Sequence, residues 1–370
     1  MTTETPAPTS TTTPATGPTA DAFAERIFTS ALAAAETMSI YLGDRLGWYD
    51  CLAGHGPLTA DDLAAKTGTH RRYAQEWLEQ QAAYGILDVD VDAVPARFSI
   101  SPGVAEALTD TSSLAYLGTL PRIFAASFVQ LPALLDAYRN GGGVSWEQFG
   151  ADARECQAAL NRPWFERELA PALATIDHLH ARLARPGARI ADVGFGGGHS
   201  TIALAAAYPE ASFVGLDVDA ESVAMARREA VAAGVDDRVE FLLADGAEAS
   251  QRGPFDVIFA FECLHDMPRP VDVLSESRAA LAPGGTMVVM DEAVSDKFTG
   301  PADDLDKIMY AFSLFVCLPD GMSSPPSAAT GTVMRPSTLR SYAADAGFGR
   351  VDVLPIEDFG FFRFYELIPD

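Results

Sequence analysis

The sequence predicts a doubly wound α/β sheet preceded by a mainly helical winged-helix domain. Two observations predict the sheet. A β-branched apolar run closes in a glycine turn at Arg189–His199, and further apolar strands follow, ending in or near acids. A third observation, helix, turn, helix and two short strands between Gly56 and Ile100, predicts the winged helix. The 370 residues suffice for two domains and a sizeable core.

The first twenty residues are mostly Thr, Pro, Ala and Ser with no basic start and no apolar run, so residues 1–20 are expected to be a disordered tail and not a signal peptide. Residues 21–110 form the winged-helix unit. Ala22 to Leu42 reads as an Ala-rich amphipathic helix. Thr59 caps a short helix that carries Asp61 and Asp62 in its first turn and ends at Gly68. A second helix, about Arg71 to Tyr84, precedes the strands Ile86–Val89 and Arg97–Ile100. A helix lying in the DNA major groove should keep its phosphate-facing positions basic, yet Glu76 and Glu79 stand beside Arg71 and Arg72. The charges favour a dimerisation scaffold over a DNA reader.

Residues 111–185 read as a helical connector. Its Asn140–Phe149 loop, with three glycines beside Trp146 and Phe149, could be a mobile lid or a surface connector. A helix is expected to begin at Asn161, with Pro163 in its first turn. His178 and His180 stand two apart, point to different faces of a helix and read as solvated, not as metal ligands.

Residues 186–370 make the sheet domain. Glycines 194, 196 and 198 remove the Cβ atoms that would keep a nucleotide-like ligand from the backbone, and a helix runs from Ser200 to Tyr208. Strands follow at Ser212–Leu216, Val239–Leu243, Phe255–Phe259 and Thr286–Met290, with a helix from Val271 to Leu281. A helix near Thr338–Ala346 and the strands Val351–Leu354 and Phe361–Leu367 complete the chain.

A nicotinamide dehydrogenase spaces its glycines G-x-G-x-x-G. Here the order is acid-x-G-x-G-x-G, with Asp192 ahead of the turn, Asp217 after the second strand and Asp245 after the third. That order resembles the Rossmann-like class I S-adenosylmethionine (SAM) methyltransferases. The resemblance implies that Asp192, Gly194, Phe195, Gly196 and Gly198 face the methionine part of SAM. It also implies that Asp217 and Val218 hold the ribose, that Asp245 and Gly246 hold the adenine, and that Phe261 lies at the fourth strand end. SAM has no pyrophosphate, which suits a turn with no basic anchor beside it.

The segment Phe261–Met267 contains Leu264-His265-Asp266, similar to the motif of small-molecule O-methyltransferases whose histidine deprotonates the acceptor hydroxyl. Those enzymes also pair a winged-helix dimerisation domain with this sheet. A neutral imidazole with an ordinary pKa of about 6.5 can accept such a proton at pH 7. His265 is therefore a candidate base, or else it closes its loop by hydrogen bonds. Glu262, Asp291 and Glu292 are acids at strand ends that could act as base, substrate-amine anchor or cap, and Glu262 is carried with His265 as a catalytic candidate. Trp146, Phe149, Tyr310, Phe315 and Met322 suit either a hydrophobic acceptor pocket or an ordinary core.

Glu76–Gln81, Asn161-Arg-Pro163, His265–Pro270, Ser327–Arg335 and Phe362–Tyr365 resemble a bacterial group of winged-helix, methyltransferase-fold proteins. Some of that group are labelled regulators and others belong to natural-product pathways. Phe195 departs from the group, which more often has a small residue or cysteine there. The resemblance implies a homodimer joined through the N-terminal domain and O-methylation of a small metabolite. Two alternatives stand beside it: a SAM-using enzyme that does not methylate, such as one performing cyclisation or cyclopropanation, and a SAM-sensing regulator.

Twenty-six basic against 51 acidic residues leave a net charge of −25, which repels nucleic acid and anionic membranes. The four cysteines form no C-x-x-C pair, so reduced thiols in a cytoplasm are expected and no metal site. No apolar run reaches the roughly 18 residues of a membrane span.

Overall fold

The computed structural model describes residues 17–370; residues 1–16, most of the expected tail, lie outside the described residues. The N-terminal unit starts with α1 (Ala20–Arg45), capped by the Thr19 hydroxyl, which accepts from the Ala22 N–H. It continues through α2 (Trp48–His55), α3 (Ala60–Thr67) and α4 (Arg71–Ala83) to the antiparallel pair β1 (Asp88–Asp90) and β2 (Arg97–Ser99). A capping box between Thr59 and Asp62 starts α3, and Gly68, at φ +67°, ends it. Trp48, Tyr49, Leu63, Trp77, Leu78 and Phe98 fill the small core, and Trp48 and Trp77 pack with ring centroids 4.7 Å apart.

Next come α5 (Pro102–Thr109), α6 (Leu120–Val129), α7 (Leu131–Asn140) and α8 (Trp146–Trp164). The last differs from the expectation: the helix does not begin at Asn161 but fifteen positions earlier, with a kink at Gly150 where φ is +75°. Pro163 therefore sits in its final turn. A proline there has no N–H to give the preceding turn, and the register widens just beyond into a π-helical turn, Phe165–Leu169. Helices α9 (Ala170–Ala174) and α10 (Asp177–Leu183) lead to the sheet. On α10, His178 Nε2 lies 2.9 Å from Glu366, and His180 Nδ1 lies 3.3 Å from the Tyr208 hydroxyl.

The sheet domain runs β3 (Arg189–Val193), α11 (His199–Ala207), β4 (Ser212–Asp217), α12 (Ala220–Ala233), β5 (Val239–Leu243), β6 (Phe255–Phe261), α13 (Pro270–Ala280) and β7 (Leu281–Glu292). It then adds α14 (Asp304–Phe312), α15 (Leu318–Met322), α16 (Pro336–Asp345), β8 (Phe348–Val353) and β9 (Phe362–Pro369). The seven strands are ordered β5-β4-β3-β6-β7-β9-β8. Pairing is parallel from β5 to β7, while β9 runs antiparallel to both β7 and β8. Strand order reverses between β3 and β6, so the crevice beyond their carboxyl ends is the place for a ligand. Val257, Phe259, Val288 and Met290 pack one face, Ile258, Ala260, Met287 and Val289 the other, as a two-sided buried sheet requires.

Charge ties the N-terminal unit to the helical connector. Arg122 of α6 donates Nε and Nη2 to the Asp44 carboxylate of α1 at 2.5 and 2.8 Å, and Nη1 to Glu155 of α8 at 2.7 Å. On α4, Arg71 pairs with Asp61 at 2.7 Å and Arg72 with Glu76, so both arginines of the helix start are already engaged. No helix among the described residues is long and apolar enough to cross a membrane.

Candidate active site

The turn after β3 is built around backbone that only glycine adopts easily. Gly194, Gly196 and Gly198 have φ of +72°, +52° and +79°. A Cβ on Gly194 would lie 2.8 Å from the Cys263 sulfur, so the loop after β6 rests directly on the turn. Asp192, at 1% exposure, pins β3 to α11: its Oδ2 accepts from the Ser200 and Thr201 hydroxyls, each at 2.6 Å. Its Oδ1 is buried and has no partner, and burial pushes the carboxyl up to about 6.

Asp217, at the end of β4, accepts the Gly196 N–H at 2.8 Å on Oδ2 and the Asp219 N–H at 2.9 Å on Oδ1. It is thereby aimed beside the turn, and burial raises its pKa. Val218, next along, is 71% exposed. Asp245 accepts the Ala247 N–H at 2.9 Å, opens the 3₁₀ turn at Gly246 and stands 3.6 Å from Arg269. The Phe195 ring turns away from the crevice into the core, 4.5 Å from Phe241. Phe261 is likewise a core side chain, stacked on Phe259 at 4.9 Å. Only the backbones of these two phenylalanines are left to meet a ligand.

His265 occupies the centre of the β6 loop at 2% exposure. Its Nδ1 lies 3.0 and 3.1 Å from the two carboxylate oxygens of Asp291 and 3.3 Å from Glu292 Oε2, and its Nε2 lies 3.4 Å from Asp266 Oδ1. Burial works against an imidazolium, but Asp266, Glu292 and Asp291 together hold His265 well above its ordinary value. Burial raises Glu292 well above the usual carboxylate range. Glu262 adopts φ +50°, a strained angle for a side-chain-bearing residue, and receives hydrogen bonds from Asn161 and Gln157 of α8; burial pushes it up to about 7. His265, Asp291 and Glu292, and separately His265, Asp266 and Cys317, offer donor atoms within 4.8 Å of one another, a set that could also hold a divalent cation.

The aromatic residues separate. Phe149 is buried in a helical cluster with Ile123, Leu134, Val144 and Val316, and Trp146 and Phe315 pack on its edge. Tyr310 accepts from Arg335 at 3.0 Å, and Met322 is half-buried at the end of α15. The triple-glycine loop is tied down: Val144 donates to the Pro319 carbonyl at 3.0 Å, and the Trp146 N–H to Asp320 Oδ1 at 2.7 Å. The structure thus gathers Asp192, the turn, Asp217, Glu262 and His265 around the strand ends and places Phe149 in the helical core. Asn161, Cys263, Asp266 and Cys317 join the site without having been expected as functional. Only the Asn161-Arg162-Pro163 motif and the neighbours of His265 carried any signal of them.

Residues 184–314 match the family described as "Methyltransferase domain", and residues 34–110 match the "Rv2258c-like winged HTH domain". A match to a methyltransferase domain, on a seven-stranded doubly wound sheet, thus follows a match to a winged helix-turn-helix domain. It is 31% identical over 155 residues to 27-O-demethylrifamycin SV methyltransferase of Amycolatopsis mediterranei, covering 40% of this chain and 57% of that one. It is 33% identical over 112 residues to the ubiquinone biosynthesis O-methyltransferase of Xanthomonas campestris pv. campestris, covering 30% and 46%. The chain spans about half the length of the curated relatives it matches. Among solved structures, mitomycin 7-O-methyltransferase MmcR superposes with a TM-score of 0.70 at 22% identity over 95% of this chain and 99% of that chain. Human N-acetylserotonin methyltransferase in complex with SAM gives 0.68 at 18% over 95% and 99%. The shared fold therefore takes in both domains.

Proposed function

We propose that the protein is a SAM-dependent methyltransferase that methylates a hydroxyl of a small hydrophobic or aromatic metabolite, in natural-product biosynthesis. The carrying observation is the convergence at one switch point of the bare turn, Asp217 and the His265–Asp291 pair. The residues fit the cofactor: a Cβ at Gly196 would point into open space beside the turn, Asp192 Oδ1 is a buried acceptor awaiting a donor, and Asp217 is fixed by two backbone N–H groups. Relatives and structural neighbours whose names include O-methyltransferases support the reaction type.

When bound, SAM supplies an electrophilic methyl group on a sulfonium. The chain's part is to remove the acceptor's proton and hold the two reactants in line. Asp291 orients His265 through Nδ1 and would stabilise an imidazolium, and Nε2, on the side of Asp266, is the atom that would take the acceptor's hydroxyl proton. The buried setting keeps water from the methyl group.

We assign the N-terminal domain to homodimer formation. The first half of α1, residues 20–35, is exposed throughout and carries Phe23, Ile27, Phe28 and Leu32, too much apolar surface to leave in water. The four free thiols suit a cytoplasm. Calorimetry with S-adenosylhomocysteine tests the cofactor: no binding at high micromolar concentration ends the proposal. Light scattering tests the dimer, with Phe28→Glu expected to give a monomer.

A further inference from the structure

The side chains around His265 crowd more carboxyl groups together than one imidazole can keep ionised, and burial raises them. Glu262, Asp266, Asp291 and Glu292 surround one imidazole, and Asp320 approaches from α15, its carboxyl pushed up to about 7 by burial and by the charge of Asp266. Arginines of α8 and of the segment before α16 are engaged elsewhere. Arg154 is bound to Asp219 at 2.7 Å, Arg162 to Glu166 at 2.7 Å, and Arg335 to the Ser295 carbonyl and the Tyr310 hydroxyl.

An independent observation points to a ligand. Glu292, at 2% exposure, has an Oε2 atom with no hydrogen-bond partner. It lies 3.3 Å from His265 Nδ1, but that nitrogen carries at most one proton, and Asp291 is closer to it. A buried carboxylate oxygen left without a donor costs free energy that a bound donor would recover. Glu262 interacts electrostatically with Glu292 and is itself half-buried, so it stands at the more open side of this pair.

We propose that the methyl acceptor carries a protonated amine in addition to its hydroxyl, and that Glu292 and Glu262 bind this ammonium while His265 meets the hydroxyl. The inference rests on the reading of this cluster as the acceptor site. An ammonium offers three donors and a positive charge, which satisfies the orphaned oxygen and neutralises the pair. An acceptor bearing a carboxylate meets repulsion at the same place.

The test is calorimetry on the full-length protein, with and without saturating S-adenosylhomocysteine, using three probes: tyramine, 4-ethylphenol and 4-hydroxyphenylacetate. Tyramine is expected to bind about tenfold or more tighter than 4-ethylphenol, the scale of a charged hydrogen bond, and 4-hydroxyphenylacetate to give no heat. Glu292→Gln is expected to bring tyramine down to the affinity of 4-ethylphenol. Glu262→Gln is the second variant should the first not fold. Equal binding of tyramine and 4-ethylphenol, no binding of tyramine, or a preference that survives both substitutions overturns the proposal. Failure of S-adenosylhomocysteine itself to bind overturns the cofactor reading instead, and the tyramine titrations on the free protein still decide the amine.

Discussion

The ring of Phe195 lies against the bare Cα of Gly215: a Cβ on that glycine would stand 2.6 Å from Phe195 Cδ1 and equally close to Phe241. A residue of the ligand turn is thus keyed into the second sheet strand, so packing within the core sets the height of the turn's backbone. Gly215→Ala is expected to destabilise the protein by about 1–3 kcal/mol, the usual range for overpacking, as read from denaturant unfolding. It should weaken S-adenosylhomocysteine binding as well. Unchanged stability would mean that Phe195 is free to move aside.

Asp217 holds the turn through Gly196 and is proposed to hold the ribose. Asp217→Ala should lower S-adenosylhomocysteine affinity by about tenfold or more, as loss of a charged acceptor predicts. Calorimetry with full affinity retained would remove Asp217 from the site.

The pH dependence of turnover tests His265. A base must be neutral to act, and the surrounding carboxylates hold this imidazole protonated above its ordinary value, so the rate should climb with pH through that raised value. Asp291→Asn removes one of those charges, and the rising limb should move towards acid by about one pH unit or more. A limb that stays in place would show that Asp291 does not set the histidine's charge. His265→Ala should cost roughly a hundredfold in turnover.

Asp192 makes stability fall as pH rises. Its folded value of about 6 stands above the ordinary 3.8, so the stabilisation is complete below pH 3.8 and is lost as pH rises through 6. The loss is of the order of 3 kcal/mol at most. Asp192→Asn should flatten unfolding free energy between about pH 4 and 7 relative to the parent protein. A parallel pair of curves would count against a buried, titrating Asp192.

Arg122 is 16% exposed and satisfies an Asp44 side chain that is 11% exposed. Removing one partner of such a pair leaves the other charge buried, so Arg122→Ala should cost about 3–5 kcal/mol in chemical denaturation. A loss below about 1 kcal/mol would mean that water replaces the guanidinium, as at a surface pair.

Much of the fold was legible because its signals are local. Val239–Leu243 is the strand expected, a mostly apolar run that follows Asp236-Asp237-Arg238 and ends just before Asp245. The Thr59–Asp62 capping box and the Gly68 stop delimit α3 as the side chains alone suggest. The misplaced start of α8 has an equally physical cause: Pro163 was read as a first-turn proline, but an uninterrupted helical stretch from Ala151 precedes it, and a proline is tolerated there beside a π turn. The site was legible in part. Glu262 and His265 follow a strand and could be named, whereas Asn161 meets Glu262 across 101 positions of chain that no periodicity links.

By itself the sequence determined the succession of sheet strands, the glycine turn and the acids at the strand ends, since each follows from backbone preference and apolar spacing over a few residues. Only the tertiary structure decided that Phe195 and Phe149 are core side chains, that Asp192 is a buried tie to Ser200 and Thr201, and that one histidine faces four carboxyl groups. Packing and charge act through space and not along the chain. The protonation of His265 is therefore a property of residues that β6, β7 and the loop between β6 and α13 bring within a few ångströms of it.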